Sequence, residues 1–309
     1  MKKDFICIKD LTPKEIEDIF NLTDKLKQDK SQFSNVLAGK TLALIFQKPS
    51  NRTRVSFEVG MYQLGGNSIY LSPGEINLGV REAVKDVAKT LSRYVDGIVI
   101  RTFGHNNIIE LAKYASIPVI NGLSDLVHPC QALADIYTIR EKLKGLKGVT
   151  LAYVGDGNNV CHSLLYGCSK VGINMNVATP KSYQSQALII KETKGFAKKS
   201  GAKINLFGKP QEAVAGADVI YTDVWASMGQ EKEAKKRKIA FKGFQVNKEL
   251  VSKAKKDCLI MHCLPAHRGE EITDEVIDSK NSVVFDQAEN RLHVQKAILI
   301  RLLGEKAKE

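Results

Sequence analysis

The chain lacks any apolar run of the ~18–20 residues that a membrane-spanning helix requires. Its first ten residues, Met1-Lys2-Lys3-Asp4-Phe5-Ile6-Cys7-Ile8-Lys9-Asp10, begin basic but hold no apolar stretch of signal-peptide length. A soluble, cytoplasmic protein with no membrane partner is therefore expected. No Cys-x-x-Cys pair is present, so a zinc or thioredoxin-type reading has little support. The six cysteines, Cys7, Cys130, Cys161, Cys168, Cys258 and Cys263, are an even number. In a cytosolic chain of this length the expectation is nonetheless reduced thiols, most of them small buried hydrophobes. Low-complexity segments and short repeats are also missing.

Acidic residues are in deficit: 34 against 46 lysines and arginines, for a net charge of +12. Nucleic acid and anionic metabolites are the two partner classes for such a balance. The densest basic run, Lys232–Lys238, has no interleaved aromatics and sits in no recognisable nucleic-acid fold signature. It reads as a solvated loop or helix face, so no nucleic acid partner is expected, and the charge serves to draw in an anionic substrate.

With 309 residues, 43% of them hydrophobic, the chain is long enough for two domains, each with its own core. Thr12-Pro13-Lys14-Glu15 carries a capping box and a first-turn proline, and predicts a helix start. Leu42–Phe46 reads as a buried strand and 53–64 as a helix closed by Gly65-Gly66. Ser68–Leu71 reads as a strand, Pro73–Gly79 as a polar loop, 81–93 as a helix and 97–100 as a strand. A helix over 108–115 and a strand at Val119-Ile120 follow. This β-α-β-α order predicts a parallel sheet flanked by helices. A helical stretch over 131–143 ends at Gly145, where a domain junction is expected. The alternation then restarts, with strands at 149–154, 174–178, 218–222, 259–262 and 283–285 and helices at 158–171 and 291–303. The expected fold is α/β: two doubly wound parallel-sheet domains of similar size, 1–145 and 146–288, with a C-terminal helix in 289–309 returning to the first. Ligands are expected at the carboxyl ends of the strands and in the cleft between the domains.

Five segments at predicted strand ends carry the chemistry. In Phe46-Gln47-Lys48-Pro49-Ser50-Asn51-Arg52-Thr53-Arg54 a strand gives way to a helix. Free backbone N–H groups, the hydroxyls of Ser50 and Thr53 and the guanidinium forks of Arg52 and Arg54 then meet where a phosphate binds. The alternative is an ordinary capped helix with two surface arginines. His128-Pro129-Cys130-Gln131 offers a neutral histidine and an amide to polarise a carbonyl, although a lone histidine is as readily structural. Gly155-Asp156-Gly157-Asn158-Asn159 opens a helix after a strand. Val160 stands where a dinucleotide fingerprint needs glycine, and no acidic residue follows ~20 positions on, so its asparagines are free to hold an amino-acid backbone instead. Asp223 at a strand end can pair with an ammonium, and Ser227-Met228-Gly229 reads as a mobile loop, or as a plain loop anchored by Trp225. Cys263 ends another strand in Met261-His262-Cys263-Leu264-Pro265, where it can bond to an amine or stay a structural thiol. Glu289-Asn290-Arg291 brings one more guanidinium.

Together these segments resemble the aspartate/ornithine carbamoyltransferase family, in its order and over nearly the whole chain. Ser50–Arg54 is similar to the family's Ser-Thr-Arg-Thr-Arg, and His128–Gln131 to its His-Pro-x-Gln. Asp223 with Ser227–Gly229, and His262-Cys263-Leu264-Pro265, resemble the loop and the motif of the branch that uses ornithine. The resemblance implies that Ser50, Asn51, Arg52 and Thr53 hold the phosphate of carbamoyl phosphate. Arg101, His128 and Gln131 would bind and polarise its carbamoyl group, within the run that includes Pro129 and Cys130, and Arg291 would complete that site. Asn159, Asp223, Ser227 and Met228 would bind L-ornithine. Cys263 and Leu264 would line the reacting end, with Cys263, Arg101, His128 and Asp223 as the catalytic set. The implied products are L-citrulline and phosphate, with no cofactor or metal because the leaving group is already activated. The implied assembly is a homotrimer or a multiple of trimers. Two positions depart from the family's usual run. Asn51 replaces threonine, and Asn77 stands where many relatives carry glutamine, in a loop that in this family reaches the neighbouring subunit's site. A carbamoyltransferase for another amine, such as putrescine, is the nearest alternative.

Overall fold

A computed structural model of the chain describes residues 3–29 and 31–304. It divides into two compact units, Met1–Leu133 with Asn290–Glu309, and Ala134–Glu289.

The first unit opens with α1 (Pro13–Gln28), whose start is the expected capping box. The Thr12 N–H donates to Glu15 Oε2 at 2.8 Å, and the Glu15 N–H donates back to Thr12 Oγ1 at 3.2 Å. Then come β1 (Thr41–Phe46), α2 (Asn51–Gln63), β2 (Asn67–Leu71), α3 (Pro73–Ile76), α4 (Val84–Leu91), β3 (Gly97–Arg101), α5 (His105–Tyr114), β4 (Val119–Leu123) and α6 (Pro129–Leu143). The strands form a parallel sheet in the order β2-β1-β3-β4. Between Thr41 at the start of β1 and Arg101 at the end of β3, both strands are apolar because both of their faces are covered. On one face Ala43, Ile45, Ile98 and Ile100 meet Val84, Val87, Ile108 and Leu111 of α4 and α5. Elsewhere on the sheet a Cβ on Gly97 would lie 2.8 Å from Leu303, near the chain's C-terminal end. The glycine is what lets that leucine lie against the strand.

The second unit continues with β5 (Thr150–Val154), α7 (Asn159–Val171), β6 (Asn174–Ala178), α8 (Ala187–Ser200), β7 (Ile204–Phe207), α9 (Pro210–Val214), β8 (Val219–Thr222), α10 (Ala234–Ala240), α11 (Lys248–Val251), β9 (Leu259–His262) and α12 (Asp274–Ile277); α13 (Val284–Leu303) starts in this unit and belongs to the first from Asn290 on. Its parallel sheet runs β7-β6-β5-β8-β9. Ala152, Val154, Ile220 and Ile260 build its core with Val214, Phe241, Val246, Ile272 and Val276. All strands of a parallel sheet end on the same edge. Each unit therefore collects the loops after its strands at one edge, and those loops carry the candidate residues.

Two expectations of secondary structure change. Val283–Phe285 is not a strand: α13 starts at Val284. The β-branched run misleads because strand pairing stops just before it, at a bridge between Ile260 and Ser282 and a bond from Val283 N–H to Ile260 O of 3.0 Å. Within the polar loop of 73–79, Ser72 and Glu75 cap the short α3. The helix ending near Gly145 is continuous from Pro129, and the packing of the units divides it at Leu133/Ala134.

Candidate active site

In the first unit, Ser50 is the N-cap of α2. Its hydroxyl accepts the Thr53 N–H at 3.3 Å, which leaves the first-turn N–H groups of Asn51 and Arg52 pointing out of the helix start. Thr53 is buried and its hydroxyl accepts from Arg291 Nη2 at 3.0 Å. The same guanidinium donates to Gln131 Oε1 on α6. Oriented so that its amide nitrogen donates to Ser56 Oγ (2.6 Å), Gln295 accepts from Arg291 Nε at 3.2 Å and Nη2 at 3.0 Å. Arg291 is only 3% exposed, so this fork is rigid.

Arg101 ends β3 and His128 precedes α6, and both are buried. Burial holds His128 well below the usual histidine range, and the positive charges of Arg291, Arg101 and Arg52 push it further the same way. The ring is neutral at physiological pH, the form that can donate to a carbonyl oxygen without carrying charge. Cys130, fully buried and bonded to Asn121 O at 3.4 Å, has its thiol pushed up to about 12 by burial, so it is no nucleophile. Pro129 is the first residue of α6. Asn77 caps the end of α3 at φ 39°. Its neighbour Leu78 is tied to the end of β1 by Gln47 Nε2 donating to Leu78 O at 2.9 Å. Arg54 departs from expectation: its guanidinium stacks 3.8 Å from the Tyr70 ring and bonds Glu58 at 2.9 Å. Sequence reasoning also passed over Lys48, a buried cation paired with Asp125 and 4.2 Å from the Phe103 ring centre.

In the second unit the ends of β5, β8 and β9 converge on Asp223. The Cys263 thiol donates to Asp223 Oδ1 at 3.1 Å, Asn158 Nδ2 donates to Oδ2 at 2.8 Å, and the Val224 N–H donates to Oδ1 at 2.8 Å. Asp223 is 5% exposed and Cys263 half-buried. A buried carboxylate with a thiol beside it suits an amine that must be bound as a cation and then lose a proton. Asn158, read from the sequence with Asn159 as a holder of an amino-acid backbone and as the first residue of the helix, is instead the N-cap of α7. Its Oδ1 accepts from Val160 N and Cys161 N while its amide holds Asp223. Asn159 follows as the first residue of the helix. Ser227 and Met228 lie on a loop where Met228 is exposed and Gly229 has φ 94°. Leu264 follows Cys263 with φ 57°. Cys263 and Leu264 thus lie beside the amine-side residues.

Asp223, His262 and Cys263 offer ligand atoms within 4.8 Å of one another. His262 Nδ1 accepts the Leu264 N–H at 2.8 Å, however, and Nε2 meets Glu271 Oε1 at 3.0 Å, so both ring nitrogens are engaged. The Lys232–Lys238 run also needs correction. Most of it is exposed, but Arg237 turns inward, 6% exposed, with Nη1 donating to Asp156 Oδ2 at 2.7 Å and to Trp225 O at 2.8 Å.

An anion-ready helix start with a buried guanidinium fork on one sheet, and a carboxylate–thiol pair on another, define a group-transfer enzyme with an anionic donor and an amine acceptor. The chain belongs to the aspartate/ornithine carbamoyltransferase family: residues 3–141 match its carbamoyl-P binding domain and residues 147–302 its Asp/Orn binding domain. Among its relatives are the ornithine carbamoyltransferases of Thermococcus kodakarensis, 56% identical over 98% of this chain and 96% of the relative, and of Bacillus subtilis, 54% identical over 99% and 96%. The solved structure of ornithine carbamoyltransferase from Pyrococcus furiosus superposes with a TM-score of 0.95 at 54% identity, covering 98% of each chain.

Proposed function

We propose that the chain is an ornithine carbamoyltransferase, converting carbamoyl phosphate and L-ornithine into L-citrulline and phosphate. The observation that carries this reading is the Asp223–Cys263–Asn158 cluster at the ends of β8, β9 and β5, which provides an amine site of the kind the ornithine branch uses. The names of its relatives agree, and the Pyrococcus furiosus relative, 55% identical, is named the anabolic form, which favours a role in arginine formation.

On this reading Ser50, Asn51, Arg52 and Thr53 take the phosphate, with Asn77 contributing from its loop. Arg101, His128 and Gln131 take the carbamoyl oxygen and amide, beside Pro129 and Cys130, and Arg291 keeps Gln131 and Thr53 in place. Asn159, Asp223, Ser227 and Met228 bind ornithine, while Cys263 and Leu264 face its δ-amine. The amine sheds its proton in the field of Asp223 and Cys263 and attacks the carbamoyl carbon. Oxyanion charge then builds opposite Arg101 and neutral His128; as the carbonyl re-forms the C–O bond breaks, and phosphate leaves under Arg52 with the second proton of the attacking nitrogen. Each such donor is worth roughly 2–4 kcal/mol of barrier. The enzyme works in the cytoplasm as a homotrimer or a multiple of trimers. Its cysteines are all free, which fits a reducing compartment.

Phosphate release from carbamoyl phosphate, with identification of the carbamoylated product, is to be measured with ornithine, putrescine and aspartate side by side. Turnover with ornithine far above the other two is the expected result. Turnover with putrescine and none with ornithine would overturn the choice of acceptor.

A further inference from the structure

We infer that Glu271 is a positioning residue for Cys263 and Leu264, acting through the ring of His262; the inference rests on the proposed reaction, whose amine-side residues these are. Glu271 and His262 are both 0% exposed. The Leu264 N–H donates to His262 Nδ1 at 2.8 Å, so Nδ1 holds a lone pair and the ring proton sits on Nε2. Nε2–H then donates to Glu271 Oε1 at 3.0 Å. The same oxygen accepts the His267 N–H at 2.6 Å, which fixes the carboxylate in turn. The backbone N–H of His262 donates to Gln287 Oε1 at 3.1 Å. Ring and backbone of His262 are thereby clamped together at the end of β9.

Leu264 needs such a clamp. Its φ of 57° lies in the left-handed region that a leucine seldom adopts. That turn directs the chain so that the preceding thiol reaches Asp223, with Cys263 Sγ 3.1 Å from Oδ1. Without an acceptor beside Nε2, a neutral imidazole can carry its proton on either nitrogen. The tautomer with hydrogen on Nδ1 would set two N–H donors against each other at Leu264 and release the turn. Glu271 therefore selects the tautomer, the tautomer supplies the acceptor for Leu264, and the held turn aims Cys263.

Glu271→Gln keeps an oxygen able to accept both N–H groups, whereas Glu271→Leu fills the space without one. The glutamine variant should keep kcat/KM for ornithine within about 3-fold of wild type, and the leucine variant should lose about 10²-fold, as a misplaced reacting group does. Carbamoyl phosphate KM should stay within about 2-fold in both. In 15N spectra of histidine-labelled protein, His262 Nδ1 should be unprotonated in wild type and Glu271→Gln, and mixed in Glu271→Leu. An unchanged ornithine kcat/KM in Glu271→Leu, equal losses for both substrates, or a protonated Nδ1 in wild type would each overturn the inference. Where Glu271→Leu does not fold, His262→Asn, whose Oδ1 replaces Nδ1, should outperform His262→Leu about 10-fold or more, and equal loss in the two overturns the acceptor role. A wild-type protein that forms no citrulline would sink the proposed reaction alone, since the tautomer measurement does not depend on turnover.

Discussion

Arg291 shows how one buried side chain organises the polar groups around it. A guanidinium has five donors and no acceptor, so burying it requires several acceptors at fixed angles. Gln131, Thr53 and Gln295 supply them. Arg291→Met keeps the bulk of the side chain but strands those acceptors, at a cost of about 1.5–3 kcal/mol for hydrogen bonds to a charged partner. On the proposed reading, the KM for carbamoyl phosphate should rise roughly 10- to 100-fold and the melting temperature should fall. Steady-state kinetics and a thermal melt check both, and an unchanged KM would remove Arg291 from that site. The Asn77 departure also has a local reason. Asparagine enters the left-handed region more readily than glutamine because its short side chain bonds to nearby backbone, and Asn77 sits there at φ 39°.

The segment after β8 is held from an unexpected direction. Asp156, after β5, pairs with Arg237 of α10, and the same guanidinium nitrogen holds Trp225 O. The Trp225 indole stacks on Phe241 at 5.7 Å and 19°. Burial raises the Asp156 carboxyl to about 6, with the Arg237 charge pulling the other way. Above that pH the carboxylate is charged and the pair intact. Below it the carboxyl is neutral, and Arg237 loses its ionic anchor. Because the folded carboxyl keeps its proton to a higher pH than the unfolded value of 3.8, this group's contribution to stability is full below that value and is lost as pH rises through about 6. Trp225 is the sole tryptophan, so its fluorescence reads this anchor directly. Wild-type emission should titrate with a midpoint near 6, and Asp156→Asn should flatten the curve; a midpoint that survives the substitution would assign the change to another group. Nothing in Lys232–Lys238 marks Arg237 apart from its neighbours, since burial is decided by which way a helix face turns and by a carboxylate 81 positions away. Glu271 escaped for a similar reason: its task is to set a histidine tautomer, and no spacing rule reports that. What was legible shares one property. The Thr12–Glu15 box is a local hydrogen-bond pattern, closed within three residues; Ser50 capping α2 and Asn158 capping α7 are of the same local kind but emerged only from the structure, where the helices start at Asn51 and Asn159. The strand ends were legible too, because parallel strands buried on both faces are apolar until the loop begins.

At the scale of the whole molecule, the first unit exposes apolar residues that its own core cannot use. Val55 and Tyr62, seven positions apart on α2 and so on one face, are 48% and 82% exposed. Ile69, on the edge strand β2, is 49% exposed. Arg54 of α2 stacks on Tyr70 of β2, which sets this helix and the sheet edge side by side. An open strand edge next to an apolar helix face invites another chain, and monomers usually blunt such edges with charge or proline. A symmetric assembly of this chain, such as the proposed trimer, would cover the patch with a second copy. Light scattering should then give about three times 34.2 kDa, or a multiple of that. Tyr62→Glu places a charge in the middle of the covered face and should shift the protein to monomer while leaving the cores of both units intact, since Tyr62 lies outside them. A Tyr62→Glu protein that keeps the wild-type mass would place the assembly surface elsewhere. If monomers also lose turnover with their fold intact by circular dichroism, the site needs its neighbour, as the proposed role of the Asn77 loop requires.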